Sequence, residues 1–378
     1  MSKKILFVVN HSEFFFSHRL PFALGARENG FDVHVATSPS GMEEQYEQHG
    51  LIWHELKKME PGGKNPAADL KLMYELYELY KDVQPDVIHH VTIKPVLYGG
   101  MAARWAGIKG VVNALSGLGY LFRSEDLTSR VLQVPIRAML KFSLNHPNSI
   151  FLLQNPDDVQ LVKEMQVVDE DCITLIRGSG VDMQEFTPAD TPENDLPIVL
   201  FASRMIWDKG VGEFVEAAEI INRNAKKARF VLAGKPDHNN PNSVTEEQLR
   251  AWDESGQVEW WGFCENMVEV LQGSSIVSLP SYYGEGVPKI LIEAAACGKP
   301  IITTNMPGCR EIVEDGYNGF LVQEKNSKDL AQKTLTLLAE KEKRMEMGKN
   351  GRTFAREHFS LQRTKKRTLK LYDTLLGN

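Results

Sequence analysis

The stretch Gly284-Glu285-Gly286-Val287-Pro288-Lys289-Ile290-Leu291-Ile292-Glu293 sets the architecture of this 378-residue chain. An apolar run at residues 276–279 precedes it and predicts a buried strand; Pro280-Ser281-Tyr282-Tyr283 then turns the chain. Pro288 suits the first turn of a helix, where its missing N–H is no loss. Ala294-Ala295-Ala296 continues that helix, and Cys297-Gly298-Lys299-Pro300 stops it with Gly and then Pro. Strand, glycine-bearing loop and helix start together present unpaired backbone N–H groups and a positive dipole end, a place for an anion. Glu285 and Glu293 stand eight residues apart, too far to grip one atom. Spaced along a diphosphate they suit hydroxyls on either side of it, as a sugar nucleotide carries. Alone, this pattern is common in any α/β domain.

Other residues single it out. Upstream lies Phe201-Ala202-Ser203-Arg204-Met205-Ile206-Trp207-Asp208-Lys209-Gly210, and downstream Pro307-Gly308-Cys309-Arg310-Glu311, then Asp315-Gly316-Tyr317-Asn318-Gly319-Phe320-Leu321-Val322. The ordered set Arg-x-x-x-x-Lys-Gly, Glu-Gly-x-Pro-x-x-x-x-Glu and Pro-Gly-x-x-Glu resembles the retaining glycosyltransferases of family 4, which have the GT-B fold. It is similar to bacterial members that extend lipid-linked or cell-surface saccharides. The resemblance covers the last half of the chain. It implies that Arg204 and Lys209 face the donor diphosphate with the N–H groups around Gly286, Val287, Pro288 and Lys289. It also implies that Glu293 binds the ribose, that Glu285 meets the transferred sugar, and that no metal or other cofactor is required. Ser203, Gly234 and Lys235 are expected beside the nucleotide, and Trp261-Gly262-Phe263 beside its base. Gly178-Ser179-Gly180-Val181-Asp182 resembles the family's Asn-Gly-Val-Asp segment with Ser179 in place of Asn, so no role for that side chain carries over.

The whole chain fits two domains. Hydrophobic residues make up 42% and charged ones 25%, ordinary for a globular protein, and a net charge of −7 argues against a general nucleic-acid binder. Four cysteines show no C-x-x-C spacing and predict reduced thiols. The opening apolar run is too short for a signal peptide, and no stretch approaches the roughly 18 apolar residues of a membrane span. The expectation is a cytoplasmic protein, touching a membrane only at its surface.

Strand runs alternate with helical patterns, as in parallel sheets built from βαβ units. Candidate strands fall at 5–9, 32–36, 86–89, 110–113, 149–153 and 172–176, and then at 198–202, 230–233, 258–260, 276–279, 301–303 and 320–322. The Pro- and acid-rich run 187–195 reads as a linker with a boundary near Asn194. The predicted architecture is therefore a Rossmann-like acceptor domain at 1–194, a Rossmann-like nucleotide-sugar domain at 195–359, and a helix at 360–378. The resemblance implies that this last helix crosses back onto the first domain. Two such halves are expected to face each other across a cleft at their strands' carboxyl ends.

The first half is expected to hold the acceptor. His18 and Arg19, after the first strand, suit an acceptor phosphate; the competing reading of Arg19 is a solvated helix start. This loop lacks the glycines many relatives carry there. Phe14, Phe15 and Phe16 cannot all face one way, which predicts at least one exposed ring. His89 and His90 point to opposite faces of their strand, and His90 is favoured as the ligand contact, with Lys94 just beyond. Asn113 and Ser116 either line the cleft or pack for structural reasons. Arg123, Arg130, Arg137 and Lys141 form a stripe beside Leu127, Val131, Val134 and Ala138, which reads as a membrane-surface helix or as a solvated face interrupted by Pro135. Asp169-Glu170-Asp171 spells a metal-binding D-x-D but reads as a solvated turn.

The expected activity is transfer of an N-acetylhexosamine from a UDP-sugar to a saccharide acceptor, lipid-diphosphate-linked, with retention. An epimerase of the same fold is the alternative, and a non-enzymatic sugar-nucleotide sensor is a third class.

Overall fold

The computed structural model describes residues 2–60, 65–118, 127–189, 196–223, 227–238 and 240–377, with side chains of the helix Leu127–Leu144 described from residue 135 onward. The chain folds as two compact units, Met1–Ser179 with Gln362–Asn378, and Gly180–Leu361. The linker boundary expected near Asn194 lies outside the described residues. Residues ahead of it already belong to the second unit, where Val181 bridges Ser360 and Phe186 packs into the core.

The first unit is built on a seven-stranded parallel sheet: β1 Lys4–His11, β2 Asp32–Ser38, β3 Ile52–Glu55, β4 Val87–Val91, β5 Gly110–Ala114, β6 Ser149–Leu153 and β7 Ile173–Leu175. Their order is β3-β2-β1-β4-β5-β6-β7. Strand β3 has no apolar run to announce it because it is short and at the edge, with Ile52 and Glu55 exposed. Alternation along the strands sorts the core. Leu6, Val8 and Ile88 face the helices Pro66–Val83 and Gly100–Ala106. Phe7 and His89 face the opposite way, against Tyr372 of the helix Leu361–Leu375. That helix places Thr364, Thr368, Tyr372 and Leu375 on its buried face at helical spacing.

The second unit holds a six-stranded parallel sheet: β8 Ile198–Ala202, β9 Arg229–Ala233, β10 Glu259–Gly262, β11 Ile276–Leu279, β12 Ile301–Thr304 and β13 Gly319–Val322, in the order β10-β9-β8-β11-β12-β13. These correspond to the six strands expected from the apolar runs. Both sheets reverse strand order once, between β1 and β4 and between β8 and β11. In an open parallel sheet the loops leaving such a reversal diverge, and the crevice between them is where ligands sit.

Candidate active site

In the second unit the reversal puts the loop after β8, carrying Arg204 and Lys209, beside the loop after β11, carrying Glu285 and Gly286. Two glycines let these loops meet backbone to backbone. A Cβ on Gly210, at φ 81°, would lie 2.2 Å from the Pro280 carbonyl oxygen, and one on Gly308, also at φ 81°, 1.9 Å from that of Gly286. The loop after β12 is thereby drawn onto the Glu285–Gly286 backbone. The Tyr282 and Tyr283 amides both donate to the Asp208 carbonyl, at 3.0 and 3.1 Å.

Lys209 is buried at 6% exposure, and its Nζ donates to Glu285 Oε1; the Ser281 hydroxyl donates to the same oxygen at 3.2 Å. The Lys209 ammonium also lies 5.4 Å from the centre of the Tyr283 ring. Low exposure on both sides makes this a demanding pair, since each charge depends on the other for the solvation it has lost. Nearby, burial pushes the Cys309 thiol up to about 12, so it stays protonated.

Arg204 behaves differently. Its side chain is 57% exposed and bonded to Asp237 at 2.5 Å. Ser203 is half-buried at the end of β8, and its N–H donates to the Ala233 carbonyl. Gly234 N–H donates to the Gly262 carbonyl at 2.6 Å, and exposed Lys235 rests its ammonium 5.0 Å from the Phe263 ring. Of the expected donor contacts, Lys209, Glu285 and Gly286 thus share one cluster, while Arg204, Ser203, Gly234 and Lys235 sit on the neighbouring β8–β9 side. Both cations expected at the diphosphate already have carboxylate partners.

The helix Lys289–Ala296 follows with Pro288 at its N-cap, one position earlier than the first-turn placement read from the sequence. The N–H groups of Lys289 and Ile290 then have no acceptor within the helix. Val287 and Pro288 are buried. Glu293, one turn in from Lys289, is buried and bonded to its Nζ at 3.1 Å. Burial raises the Glu293 pKa, and Lys289 opposes the rise.

The first unit departs from the expectations more. His90 is not a ligand contact but a core residue: it is fully buried, with Nε2 2.9 Å from the Tyr80 hydroxyl and Nδ1 2.8 Å from Asn113 Oδ1. Burial holds its pKa down to about 4, so the ring is neutral. Asn113 gives its Oδ1 to this buried contact, while its Nδ2 is buried without a partner among the described residues. His89 does point to the other face, as alternation requires, with Nδ1 2.7 Å from the Tyr372 hydroxyl. Lys94 is tied to Asp69 at 2.7 Å, and Tyr98 donates to the other Asp69 oxygen at 2.9 Å. Ser116 is exposed, next to Gly117, whose N–H donates to Asp158. His18 is half-buried and stacked on Phe14 at 4.3 Å. Arg19 is not a solvated helix start; it is only 4% exposed. Of the three phenylalanines, Phe15 is buried and Phe14 and Phe16 are half-buried, so none is fully open.

Two groups at the β1/β4 reversal are visible only in the fold. Thr92, just after β4, holds φ 77°, a region that a β-branched residue rarely adopts, and its buried hydroxyl has no hydrogen-bond partner among the described residues. Asn10 Oδ1, near the end of β1, is likewise buried and unpartnered among them. No sequence signal marks a strained threonine, because φ is imposed by packing.

Arg123 and the loop reaching it, with Gly119 and Tyr120, lie outside the described residues, as do the side chains of Leu127, Arg130, Val131 and Val134. Arg137 bonds back to the Met165 carbonyl, and Ala138 and Lys141 are exposed. Asp169-Glu170-Asp171 runs into a short 3-10 turn in which Glu170 pairs with Lys163 at 2.5 Å. Cys297 and Cys309 are buried, and all four cysteines are free thiols. Among the described residues no helix is long and apolar enough to cross a membrane.

Two parallel-sheet Rossmann-like units, each reversing its strand order, with a glycine-framed Lys–Glu pair after β8 and β11, define a GT-B glycosyltransferase. Residues 182–354 match the family described as glycosyl transferases group 1, and residues 4–155 the one described as glycosyl transferase 4-like. The chain is 31% identical over 326 residues to the N,N'-diacetylbacillosaminyl-diphospho-undecaprenol alpha-1,3-N-acetylgalactosaminyltransferase of Campylobacter jejuni, covering 83% of this chain and 84% of that one. It belongs to the group 1, family-4 type glycosyltransferases. It is also 27% identical over 270 residues to an Escherichia coli UDP-Gal:alpha-D-GlcNAc-diphosphoundecaprenol alpha-1,3-galactosyltransferase, covering 68% and 67% of the two chains. Among solved structures, Anabaena HepE in complex with UDP and glucose superposes with a TM-score of 0.79 at 18% identity, over 98% of this chain and 99% of that one.

Proposed function

We propose that this glycosyltransferase moves an N-acetylhexosamine from a UDP-sugar to a saccharide carried on a lipid diphosphate, with retention and without a metal. The observation that carries the reading is the Lys209–Glu285 pair, buried where the β8 and β11 loops meet and one short segment ahead of the Lys289–Ala296 helix start. The relatives' activities on diphospho-undecaprenol acceptors support the acceptor class, and the N-acetylgalactosaminyl transfer of one of them supports the sugar.

In this reading the C1–oxygen bond to the β-phosphate breaks and a C1–oxygen bond to the acceptor hydroxyl forms. The acceptor's proton passes to the departing diphosphate. Negative charge grows on that diphosphate as the bond breaks, and fixed donors aimed at it favour the transition state over the ground state. Arg204, Lys209 and the N–H groups near Lys289 supply those donors. Glu285, released from Lys209 as the diphosphate arrives, takes the sugar hydroxyls, and Glu293 the ribose. A carboxylate holding the lysine beforehand keeps its side chain in place at the site. The protein would work at the membrane face where a lipid acceptor is presented.

The test is a transfer assay in EDTA with UDP-GalNAc, UDP-GlcNAc, UDP-Gal and a GDP-sugar against a synthetic polyprenyl-diphosphate saccharide. The expected result is acceptor-dependent release of UDP and an axial product linkage by NMR. An altered sugar formed from donor alone would instead identify an epimerase and end the transferase reading.

A further inference from the structure

The first unit contains a buried guanidinium with no carboxylate beside it among the described residues. Arg19 sits at the break between the helices Ser12–His18 and Leu20–Glu28, 4% exposed. Its Nη1 donates to the His18 carbonyl at 3.2 Å, and its Nε is buried without an acceptor among the described residues. The Phe14 and Phe22 rings, 5.9 and 5.7 Å away, contribute only weak cation–π attraction. Burial lowers its pKa to about 10, which leaves it charged at neutral pH.

Beside it is a second orphan. His89 is 1% exposed; its Nδ1 meets the Tyr372 hydroxyl, and its Nε2 is buried without a partner among the described residues. Arg19 and His89 line one cavity with Gln154, Thr364 and Thr368, of about 10 Å³, room for a single water-sized particle. Burial keeps the Tyr372 phenol protonated and the His89 ring neutral; in the arrangement where the phenol donates to Nδ1, the ring carries its proton on the unpartnered Nε2. Hydrogen-bond donors therefore converge on this space from the α-helical break and from β4, under the helix Leu361–Leu375, together with one uncompensated positive charge.

We propose that this cavity binds a small monovalent anion of chloride size, held by Arg19 Nε–H and His89 Nε2–H, which fastens the helix Leu361–Leu375 to the sheet of the first unit. Water would satisfy the hydrogen bonds but leave the charge unbalanced, and burying an unpaired charge is the more expensive fault. A phosphate carries the right sign as well, and the melting experiment separates the two.

The experiment melts the full chain in sodium chloride and in sodium gluconate at equal ionic strength, without phosphate, for the parent and Arg19→Met. Chloride is expected to raise the parent Tm by about 2–4 °C, with saturation, and to lose that effect in the variant. Equal melting in the two salts, or a chloride effect that survives in Arg19→Met, overturns the proposal. Should Arg19→Met not fold, a parent crystal soaked in bromide decides. An anomalous peak within hydrogen-bonding distance of Arg19 Nε and His89 Nε2 upholds the site, and its absence there refutes it. Stabilisation by inorganic phosphate but not by chloride would overturn it too, and would return Arg19 to an oxyanion role.

Discussion

The two strand-order reversals in this protein share a topology and differ in how their polar groups are spent. After β8 and β11 the charged groups are matched: Lys209 with Glu285, Arg204 with Asp237, Lys289 with Glu293. After β1 and β4 groups are left over among the described residues: a strained Thr92, an unpartnered Asn10 oxygen, and Arg19 with no carboxylate beside it. A site that must accept a highly charged diphosphate can hold its cations on internal carboxylates beforehand. On the proposed function, a site for a neutral sugar hydroxyl would need unspent neutral donors and acceptors instead, such as the Thr92 hydroxyl and Asn10 Oδ1. Charged residues leave a signature in residue type and spacing, though their partners do not, whereas leftover hydrogen-bonding capacity shows only in three dimensions.

Lys209→Ala attacks the matched side most directly. It strands the Glu285 carboxylate at low exposure, expected to cost about 3–5 kcal/mol in urea unfolding, and on the proposed mechanism it removes a donor to the leaving diphosphate, lowering kcat by about 10²–10³. Lys209→Met with Glu285→Leu should recover most of the stability and none of the activity. A double variant that stayed active would show that the pair is structural, no different in kind from any other buried ion pair.

Glu293 offers a pH test of the same side. Burial raises its folded pKa above the unfolded one, so the folded state holds that proton more tightly. Its contribution favours folding at low pH and is lost as pH climbs from the ordinary carboxylate range through the raised value. Glu293→Gln should remove that slope and melt higher than the parent at neutral pH, while the KM for the nucleotide sugar rises. An unchanged stability-versus-pH profile in the variant would contradict the assignment.

On the leftover side, Thr92 should give the smallest change. Replacing it with Gly relieves the positive φ, a strain of about 1 kcal/mol or more, against a comparable backbone-entropy loss. Urea unfolding should therefore show Thr92→Gly no less stable than the parent, with the acceptor KM raised a fewfold. A clear loss of stability would mean that the Thr92 hydroxyl is bonded after all.

Much of the second unit was legible because its signals are local. Each of its six strands is an apolar run closed by Gly, Pro or a charged motif, and Lys209, Gly210, Glu285, Gly286 and Gly308 sit at the loop positions their spacing suggested. What was not legible is pairing. Nothing in the sequence tells that Asp237 holds Arg204 or that Asp69 holds Lys94, residues apart in the chain and joined only by the fold. The first unit misled for a related reason. His90 and Asn113 have the residue types and strand-end positions of ligand contacts, yet the helix Pro66–Val83 brings Tyr80 over them and turns them into core. The alternation of His89 and His90 was readable; that a helix covers each face was not.

Because Gln362–Asn378 belongs to the same unit as Met1–Ser179, synthesis and folding run out of step. Phe7 and His89 emerge early from the ribosome, but Tyr372, which covers them, is translated only after the whole intervening unit. Domains generally fold as they emerge, so the middle of this chain is able to finish before its beginning does. The early sheet would wait with one aromatic face uncovered, a window in which a chaperone or a neighbouring nascent chain has access to a surface the mature protein never shows.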